Sequence, residues 1–402
     1  MDFTLTDEQR MLAESLRSLL DAECTVPQLR RMLDVATARD AGRWGKLFEL
    51  GLGGVLAPEA AGGLGMGELD FALAAEECGR ALLPEPLVEQ AGIAVPMLAA
   101  LRLTPSPAPL HPSSPGLSRG STSGRAADPA SSMRRDDVDG RDKPGHDGRG
   151  AGDVLSAAVS GDLAVALGHP LNPFVIDADI AEFLLLPRDG EIHLVERQHV
   201  ELTLEPGIDP FRRLFRVDWT PRSDTMLADA KLGQTLWDAA LDRGALFAAA
   251  QGLGIAQRAV QIATDYAKER QQFGKPIGSY QAIKHHLATV QVKLEFARPV
   301  VYAAAAQFTA GDRLSAARIS HAKLAAGDAA ELACRTAIQI HGAMGYSWEV
   351  DVHFFLKRAL ALAGAWGDRG FHQRRVAHRL FETDLPVGPD QIFAKERDRH
   401  VA

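Results

Sequence analysis

Long alanine-rich segments in the second half of the chain constrain the fold more than any other feature. Between residues 227 and 380 the apolar side chains recur at the spacing of a helix face. The predicted helices cover residues 232–270, 283–310, 314–344 and 353–381. The first of them is either a helix pair or one helix bent around Gly252 and Gly254. Because the connections between these long helices are short, the pattern favours an antiparallel four-helix bundle.

The first hundred residues are also predicted to be helical. Thr6 and Gln9 form a capping box that opens a helix over residues 9–23. Further helices are predicted at residues 42–50, 68–82 and 87–103. The glycine-rich segment 62–67 is predicted to be a plain turn rather than a phosphate loop, because no clear strand precedes it.

Residues 105–150 differ in composition from the rest of the chain. They are rich in Pro, Ser and Gly and contain no aromatic residue. Such a segment buries too little apolar surface to offset a backbone entropy cost of ~1–2 kcal/mol per residue. The part from Met133 to Gly148 resembles translated repetitive elements found inside bacterial genes. We therefore predict a disordered surface insertion that the fold tolerates.

Short strands are predicted after this insertion. A helix at residues 154–158 precedes apolar runs at 183–186, 192–195, 200–204 and 214–219, which Pro, Gly and Asp separate. These runs predict a small antiparallel sheet. The predicted fold is mainly α with a small β domain. Its parts are an N-terminal helical domain (1–104), the insertion (105–150), a linking helix with a reduced sheet domain (151–222) and the helical bundle (223–402).

Composition excludes several classes of function. The 402 residues carry a net charge of −8, which argues against a nucleic-acid or acidic-membrane partner. The three cysteines lie far apart without CxxC or metal-ligand spacing, and His285 and His286 have no carboxylate partner at helical spacing, so no metal site is expected. No signal peptide and no membrane span are expected, which makes the cytoplasm the default location.

The segment 269–278 carries the most specific motif of the chain. Gly274 can adopt the positive φ that ends a helix, and Pro276 cannot continue one. Arg270 then stands at a helix end, where a planar guanidinium can bind a diphosphate through two hydrogen bonds. The pattern Arg-x-x-Phe-Gly-x-Pro-Ile at residues 270–277, with Gln281 beyond it, resembles the flavin-contacting hairpin of the acyl-CoA dehydrogenase family.

Other parts of the chain are similar to the same family. The sequence from Asp2 to Arg80 resembles the N-terminal helical domain, and residues 339–346 resemble a second C-terminal motif. The order of helical domain, sheet and bundle is also that of the family. The resemblance implies bound FAD and the oxidation of an acyl-CoA thioester to the 2,3-enoyl form. A carboxylate removes the α proton while a hydride passes to the flavin.

The resemblance also implies which residues contact FAD. Arg270 would neutralise the diphosphate, Phe273 would pack on the cofactor, and Gln281 would hydrogen-bond to it. The second motif would reach the FAD of a neighbouring subunit through Gln339 and a backbone that Gly342 and Gly345 keep accessible. Considered alone, this second motif is better explained as a helix end that a glycine caps. The order and separation of the two motifs favour the contact with the cofactor instead.

The catalytic base departs from the family pattern. Counting from the family's Arg-containing helix places the base at Gly367, and the other position used in the family falls at Gly244. Asp368 stands one residue late, and a shift of one residue turns a helical side chain by ~100°. Asp368 is therefore either a displaced base or a surface carboxylate that pairs with Arg369 or Arg374.

Two further features resemble specialised members of the family. The family's Thr-Glu-Pro-Gly loop, which lines the flavin ring, has no counterpart after Gly168. Residues 346–353 resemble a variant found in dehydrogenases of steroids and other bulky acyl chains, many of which act as pairs of unlike subunits. Within this segment His353 is expected to be a core or interface residue rather than a ligand.

Two hypotheses follow. In the first, the protein is an FAD-dependent acyl-CoA dehydrogenase that uses Asp368 or a base from a partner. In the second, it is a non-catalytic subunit that completes the flavin site of a partner chain. Both imply an acyl-CoA ligand and a homo- or hetero-oligomer with another dehydrogenase-like chain. An electron-transfer flavoprotein is an expected acceptor.

Overall fold

A computed structural model describes residues 4–33, 39–103, 151–383 and 388. The predicted disordered insertion at residues 105–150 lies outside the described residues. Among the described residues, no helix is long and apolar enough to cross a membrane.

The N-terminal part is helical, as the sequence predicts. Its helices are α1 (Asp7–Glu23), α2 (Val26–Met32), α3 (Ala41–Glu49), α4 (Glu68–Ala81), α5 (Leu87–Glu89) and α6 (Val95–Leu103). The predicted capping box is present, since the backbone N–H of Gln9 donates to the Thr6 hydroxyl and the Gln9 side chain accepts from the Thr6 N–H. Helix α3 ends just before Gly51, whose φ of 79° is readily available only to glycine.

A π-helical turn at Gln90–Ala94 joins α5 to α6 and ties the N-terminal helices to the sheet domain. The fully buried Gln90 amide donates to the carbonyls of Ala158 and Leu163 at 3.0 and 3.1 Å. Its oxygen accepts the Val165 N–H at 3.0 Å. One side chain therefore satisfies three backbone groups that would otherwise be buried without partners.

The sheet domain follows helix α7 (Ala151–Ser160). Its strands are β1 (Val165–Leu167), β2 (Phe174–Ile176), β3 (Phe183–Arg188), β4 (Glu191–Glu196), β5 (Glu201–Glu205), β6 (Leu214–Asp218) and β7 (Met226–Ala228). One sheet has the order β1-β3-β4-β7 and the other β2-β6-β5. The pairings are antiparallel except that of β1 with β3, which is parallel. The predicted small antiparallel sheet domain is confirmed. The parallel pair lies at one edge, where a long connection through β2 lets the chain return in the same direction.

The bundle is built on α8 (Ala230–Glu269), α9 (Gln281–Ala306) and α10 (Arg313–His341), followed by α11 (Val352–Gly364) and α12 (Arg369–Phe381). Helix α8 is continuous through Gly252 and Gly254, which settles the choice between one helix and two. A Cβ on Gly254 would lie 1.9 Å from the Glu76 carbonyl oxygen. Glycine stands there because α4 approaches α8 closely.

The predicted helix over residues 353–381 is wrong as a single element. The chain breaks between α11 and α12, and Trp366 and Gly367 in the break have φ values of 58° and 95°. A right-handed helix cannot contain two consecutive residues with positive φ. This break lies at the position where the family resemblance places the catalytic base.

Candidate functional site

A cavity of about 540 Å³ lies where the sheet domain meets the break between α11 and α12. Its size is within the usual range for ligand pockets in proteins, ~300–1,000 Å³. The walls come from the end of α5, from β1 and β2 with the loop between them, from the loop before β6 and from the α11–α12 break. We treat this cavity as the candidate active site.

Trp366 forms part of the cavity wall in a strained conformation. A bulky residue with φ of 58° is uncommon and costs of order 1–3 kcal/mol. His372 Nε2 holds the turn by donating to the Trp366 carbonyl at 3.0 Å. The Trp366 indole packs so tightly on α8 that a Cβ on Gly244 would lie 2.1 Å from a ring carbon. The indole therefore occupies the space beside one of the two family positions for a base.

The turn at Gly367 excludes a side chain at the other position where members of the family carry the catalytic base. Its φ of 95° is disfavoured for any residue with a Cβ, and that Cβ would lie 2.5 Å from the Phe371 ring and 2.9 Å from His372 Nε2. A glutamate is therefore incompatible with the backbone as it stands. Both positions lack a carboxylate, and both are also shaped to exclude one.

Asp368 lines the cavity, but its carboxylate caps a helix. Its Oδ1 accepts the backbone N–H of Phe371 at 2.7 Å at the start of α12. Arg369, which the sequence offers as a surface partner, pairs instead with Asp328. Asp368 is exposed, so the second carboxylate oxygen is accessible to a ligand or to water.

The acidic and basic neighbours of Gly244 are engaged elsewhere. Asp242 is buried and accepts from Arg375 of α12 at 2.7 Å. Burial raises the pKa of Asp242, and the Arg375 guanidinium opposes that shift. Arg243 binds Glu68 of α4 at 3.0 Å. Neither side chain lines the cavity, so neither replaces the missing base.

His169, which lines the cavity, and His372, which bonds to the lining residue Trp366, have partners at both ring nitrogens. His169 Nδ1 accepts the Leu171 N–H, and its Nε2 donates to the Trp237 carbonyl at 3.1 Å. His372 accepts from Ser320 through Nδ1, and burial lowers its pKa to about 4. Since both ring nitrogens of each imidazole have partners, these histidines shape the wall and are not proton acceptors.

The wall opposite Trp366 carries charges that sequence reasoning missed. Arg212 Nη2 donates to Glu89 at 3.2 Å, and Asp209 binds Arg358. Arg358 also donates to the Leu83 carbonyl at 3.1 Å. These pairs join the N-terminal helices, the sheet domain and the bundle. Glu89 and Arg212 lie far apart in sequence and show no local pattern, so nothing in the sequence marked them.

The motif around Arg270 forms a two-stranded hairpin between α8 and α9. Strand β8 (Gln271–Gln272) pairs with β9 (Lys275–Pro276), and the two loop residues Phe273 and Gly274 have φ values of 54° and 80°. Positive φ at both central residues is typical of a type I′ turn. The predicted positive φ of Gly274 is confirmed. Phe273 is 93% exposed, so the hairpin presents an aromatic ring to solvent.

The structure brings the two sequence motifs to the same end of the bundle. Tyr266, near the end of α8, stacks on His341 at the end of α10 with ring centroids 4.1 Å apart. Gly342 then leaves the helix with φ of 62°. A Cβ on Gly345 would lie 2.5 Å from the Ile338 carbonyl oxygen, so this turn depends on glycine. Gly342 therefore ends the helix, as the alternative interpretation of this motif has it, and the contact of the motif with FAD stays a prediction.

The residues proposed to contact FAD do not line the cavity of the same chain. Arg270, Phe273, Gln281 and Gln339 are all exposed. Among the described residues, the Arg270 side chain has no ion-pair partner. An exposed guanidinium, an exposed ring and a glycine-rich backbone at one bundle end fit a diphosphate-bearing cofactor.

Two expectations about histidines can be compared with the structure. His353 is buried among aromatic rings, and its expected placement in the core is confirmed. His285 and His286 are exposed on α9. Within the described ranges, no group of His, Cys, Asp and Glu has the arrangement of a metal site.

Comparison with known proteins gives matches over most of the chain. Residues 6–101 match the model of the acyl-CoA dehydrogenase N-terminal domain, and residues 233–381 match that of the C-terminal domain. The acyl-CoA dehydrogenase IpdE2 of Mycobacterium tuberculosis is 29% identical over 361 residues, which cover 89% of this chain and 92% of that protein. FadE34 of the same organism is 32% identical over 386 residues, 93% of this chain and 48% of that protein.

A solved structure supports the same fold. The ChsE4–ChsE5 complex of Mycobacterium tuberculosis contains a chain that superposes with a TM-score of 0.73 at 21% identity, covering 96% of this chain and 100% of that one. Together, the matched domains and the relatives show that the chain belongs to the acyl-CoA dehydrogenase family, and the solved structure shows that it shares the fold.

Proposed function

We propose that this chain is a subunit of a heteromeric, FAD-dependent acyl-CoA dehydrogenase, in which a partner chain supplies the carboxylate that removes the α proton. The observation that carries the proposal is that neither Gly244 nor Gly367, the two positions where the family carries its base, leaves room for a carboxylate side chain. Gly244 faces the Trp366 indole, and Gly367 lies in a turn that disfavours a side chain. The neighbour ChsE4–ChsE5, described as a complex of two named chains, supports an assembly of unlike subunits.

The proposed FAD contacts of this chain lie at the end of the bundle that carries the hairpin. Arg270 would bind the diphosphate, Phe273 and Gln281 would contact the rest of the cofactor, and the backbone around Gly342 and Gly345 would approach it from the second motif. When bound, FAD supplies the hydride acceptor for 2,3-dehydrogenation of the acyl-CoA. An electron-transfer flavoprotein then receives the electrons in this proposal.

The experiment is co-expression with a second dehydrogenase-like chain that carries the glutamate. We expect the two chains to co-purify with a visible flavin spectrum and to lose that flavin when Arg270 is changed to Ala. The proposal would be contradicted if the purified complexes never contained flavin, or if this chain co-purified with no such partner. The spectrum and the subunit ratio are measured on the same sample, so the two failures are distinguishable.

A second candidate function makes Asp368 the base of this chain. The observation in its favour is that Asp368 lines the cavity and keeps one carboxylate oxygen outside the helix cap. Asp368→Asn preserves the cap and removes the proton acceptor. A general base contributes about 10²–10⁴ in rate, so flavin bleaching by acyl-CoA under anaerobic conditions should slow by that factor. Equal bleaching in wild type and variant would exclude Asp368.

A further inference from the structure

Much of the cavity wall is apolar, and charged side chains interrupt it at Glu89, Asp209, Arg212, Asp368 and Arg374. Leu167, Phe174 and Ile176 come from β1 and β2, and Phe371 comes from α12. Arg212 lies on this wall with its side chain only 10% exposed. A guanidinium that is almost fully buried at the edge of an apolar cavity is costly unless something pairs with it.

The pairing of Arg212 is incomplete. A guanidinium has five N–H donors, and the side chain of Arg212 uses one of them, in the 3.2 Å bond from Nη2 to Glu89. Among the described residues, no other group accepts from the Arg212 side chain. A bidentate pair with a carboxylate would use two donors at once, and the single bond to Glu89 leaves enough donors for such a pair.

Two other buried polar groups of the lining, Asp209 and His169, already have partners. Asp209 binds Arg358 through one oxygen and accepts the Phe211 N–H at 3.0 Å through the other. His169 is bonded through both ring nitrogens. Arg374 also lines the cavity but is exposed, so water can satisfy its donors. Arg212 is therefore the buried cation on this wall with unused hydrogen-bond donors, and a ligand anion is the chemistry that would fill them.

We propose that Arg212 determines ligand specificity by binding a carboxylate at the far end of the acyl group, so that the cavity selects ω-carboxyacyl thioesters over simple fatty acyl thioesters. The apolar wall receives the methylene chain or rings, and Arg212 receives the terminal anion. This inference deepens the proposed function, since it takes the acyl-CoA of that proposal as the ligand. The inference requires only that the chain binds the acyl-CoA, and not that it catalyses the dehydrogenation.

The test compares matched thioesters on the purified protein with its partner, by isothermal titration calorimetry. Glutaryl-CoA is paired with valeryl-CoA, and sebacoyl-CoA with decanoyl-CoA, so that each pair differs in the terminal carboxylate. We expect the wild type to prefer the dicarboxylic member of one pair by roughly ten- to hundred-fold. No preference in either pair would overturn the proposal.

Two variants give opposite expected results. Glu89→Gln removes the competing carboxylate but keeps a hydrogen-bond acceptor, so the preference for the dicarboxylic member should increase. Arg212→Gln combined with Glu89→Gln should abolish the preference by weakening the binding of the dicarboxylic member, and an unchanged far-UV circular dichroism spectrum shows that the variant is folded. A preference that survives in the double variant would refute the role of Arg212.

Arg374 provides a matched control. It lines the same cavity from α12 but is exposed. Arg374→Gln should change the affinities of both members of a pair equally and leave their ratio intact. If Arg374→Gln abolished the preference for the dicarboxylic member and the Arg212 variant kept it, the terminal carboxylate would bind near Arg374, and the proposal would be wrong. Flavin content, the readout of the proposed function, does not enter this measurement.

Discussion

Replacing Gly244 with alanine tests whether the Trp366 indole really closes the base position. Gly244 lies inside α8, where alanine normally gains about 0.5–1 kcal/mol over glycine. Here the new Cβ would lie 2.1–2.5 Å from three ring atoms of Trp366. Forcing an extra methyl group into a packed site costs typically about 1–3 kcal/mol, so the steric cost exceeds the helical gain.

The expected result is a lower thermal midpoint. For a helical domain of this size, 1–3 kcal/mol corresponds to a fall of roughly 2–12 °C, reduced by the helical gain. In a Trp366→Ala background the obstacle is absent, so the same Gly244→Ala change should raise the midpoint. The change of sign gives a coupling free energy of about 1–3 kcal/mol between the two positions.

Gly327 is the matched control. It also lies inside a bundle helix, α10, and a Cβ there meets no atom within 4 Å. Gly327→Ala should therefore raise the midpoint in both backgrounds. If Gly244→Ala stabilises the wild-type chain as Gly327→Ala does, the indole does not fill the space beside α8. The main support for a missing base would then be lost.

Three further predictions concern the flavin, the acid limit of stability and the insertion. Arg270→Ala should weaken flavin retention about ten- to hundred-fold, and Arg270→Lys should restore it only partly, as measured by flavin released on dilution; equal retention in all three proteins would contradict the role of Arg270. Burial lowers the folded-state pKa of His372 to about 4, whereas the unfolded pKa is near 6.5, so the contribution of His372 to stability is complete above pH 6.5 and is lost as the pH falls toward 4. The thermal midpoint of a His372→Gln variant should therefore fall less between pH 6.5 and pH 4 than that of the wild type. Deletion of residues 105–150 should leave the thermal midpoint nearly unchanged, whereas a fall of many degrees would show that the segment packs on the domains.

The long helices and the hairpin were predictable because their signals are local. The capping box at Thr6 and the positive φ of Gly274 depend on neighbouring residues and are confirmed. The break between α11 and α12 was missed, although Gly367 followed by Asp368 is a pattern typical of a helix end and a new N-cap. Continuous apolar periodicity on both sides favoured one helix over that signal.

The cavity wall was not predictable, for a different reason. Arg212 and Glu89 meet only because the π-helical turn and the loop before β6 converge in three dimensions. The exclusion of a side chain at Gly244 likewise depends on the Trp366 indole, which comes from a distant part of the chain. Such contacts have no signature at short sequence separation, so the sequence revealed the missing glutamates but not what replaced them.

The meeting of α6 and α7 has an evolutionary consequence. A Cβ on Gly152 would lie 3.9 Å from Arg102 Nε, so the chain leaves and rejoins the fold at neighbouring points. Lengthening a connection between two such points costs only about 0.6 kcal/mol of loop-closure entropy per doubling of its length. DNA inserted at this place therefore meets little selection against it. The same geometry makes this the natural place to divide the gene, with residues 1–103 and 151–402 expressed as two fragments that reassemble.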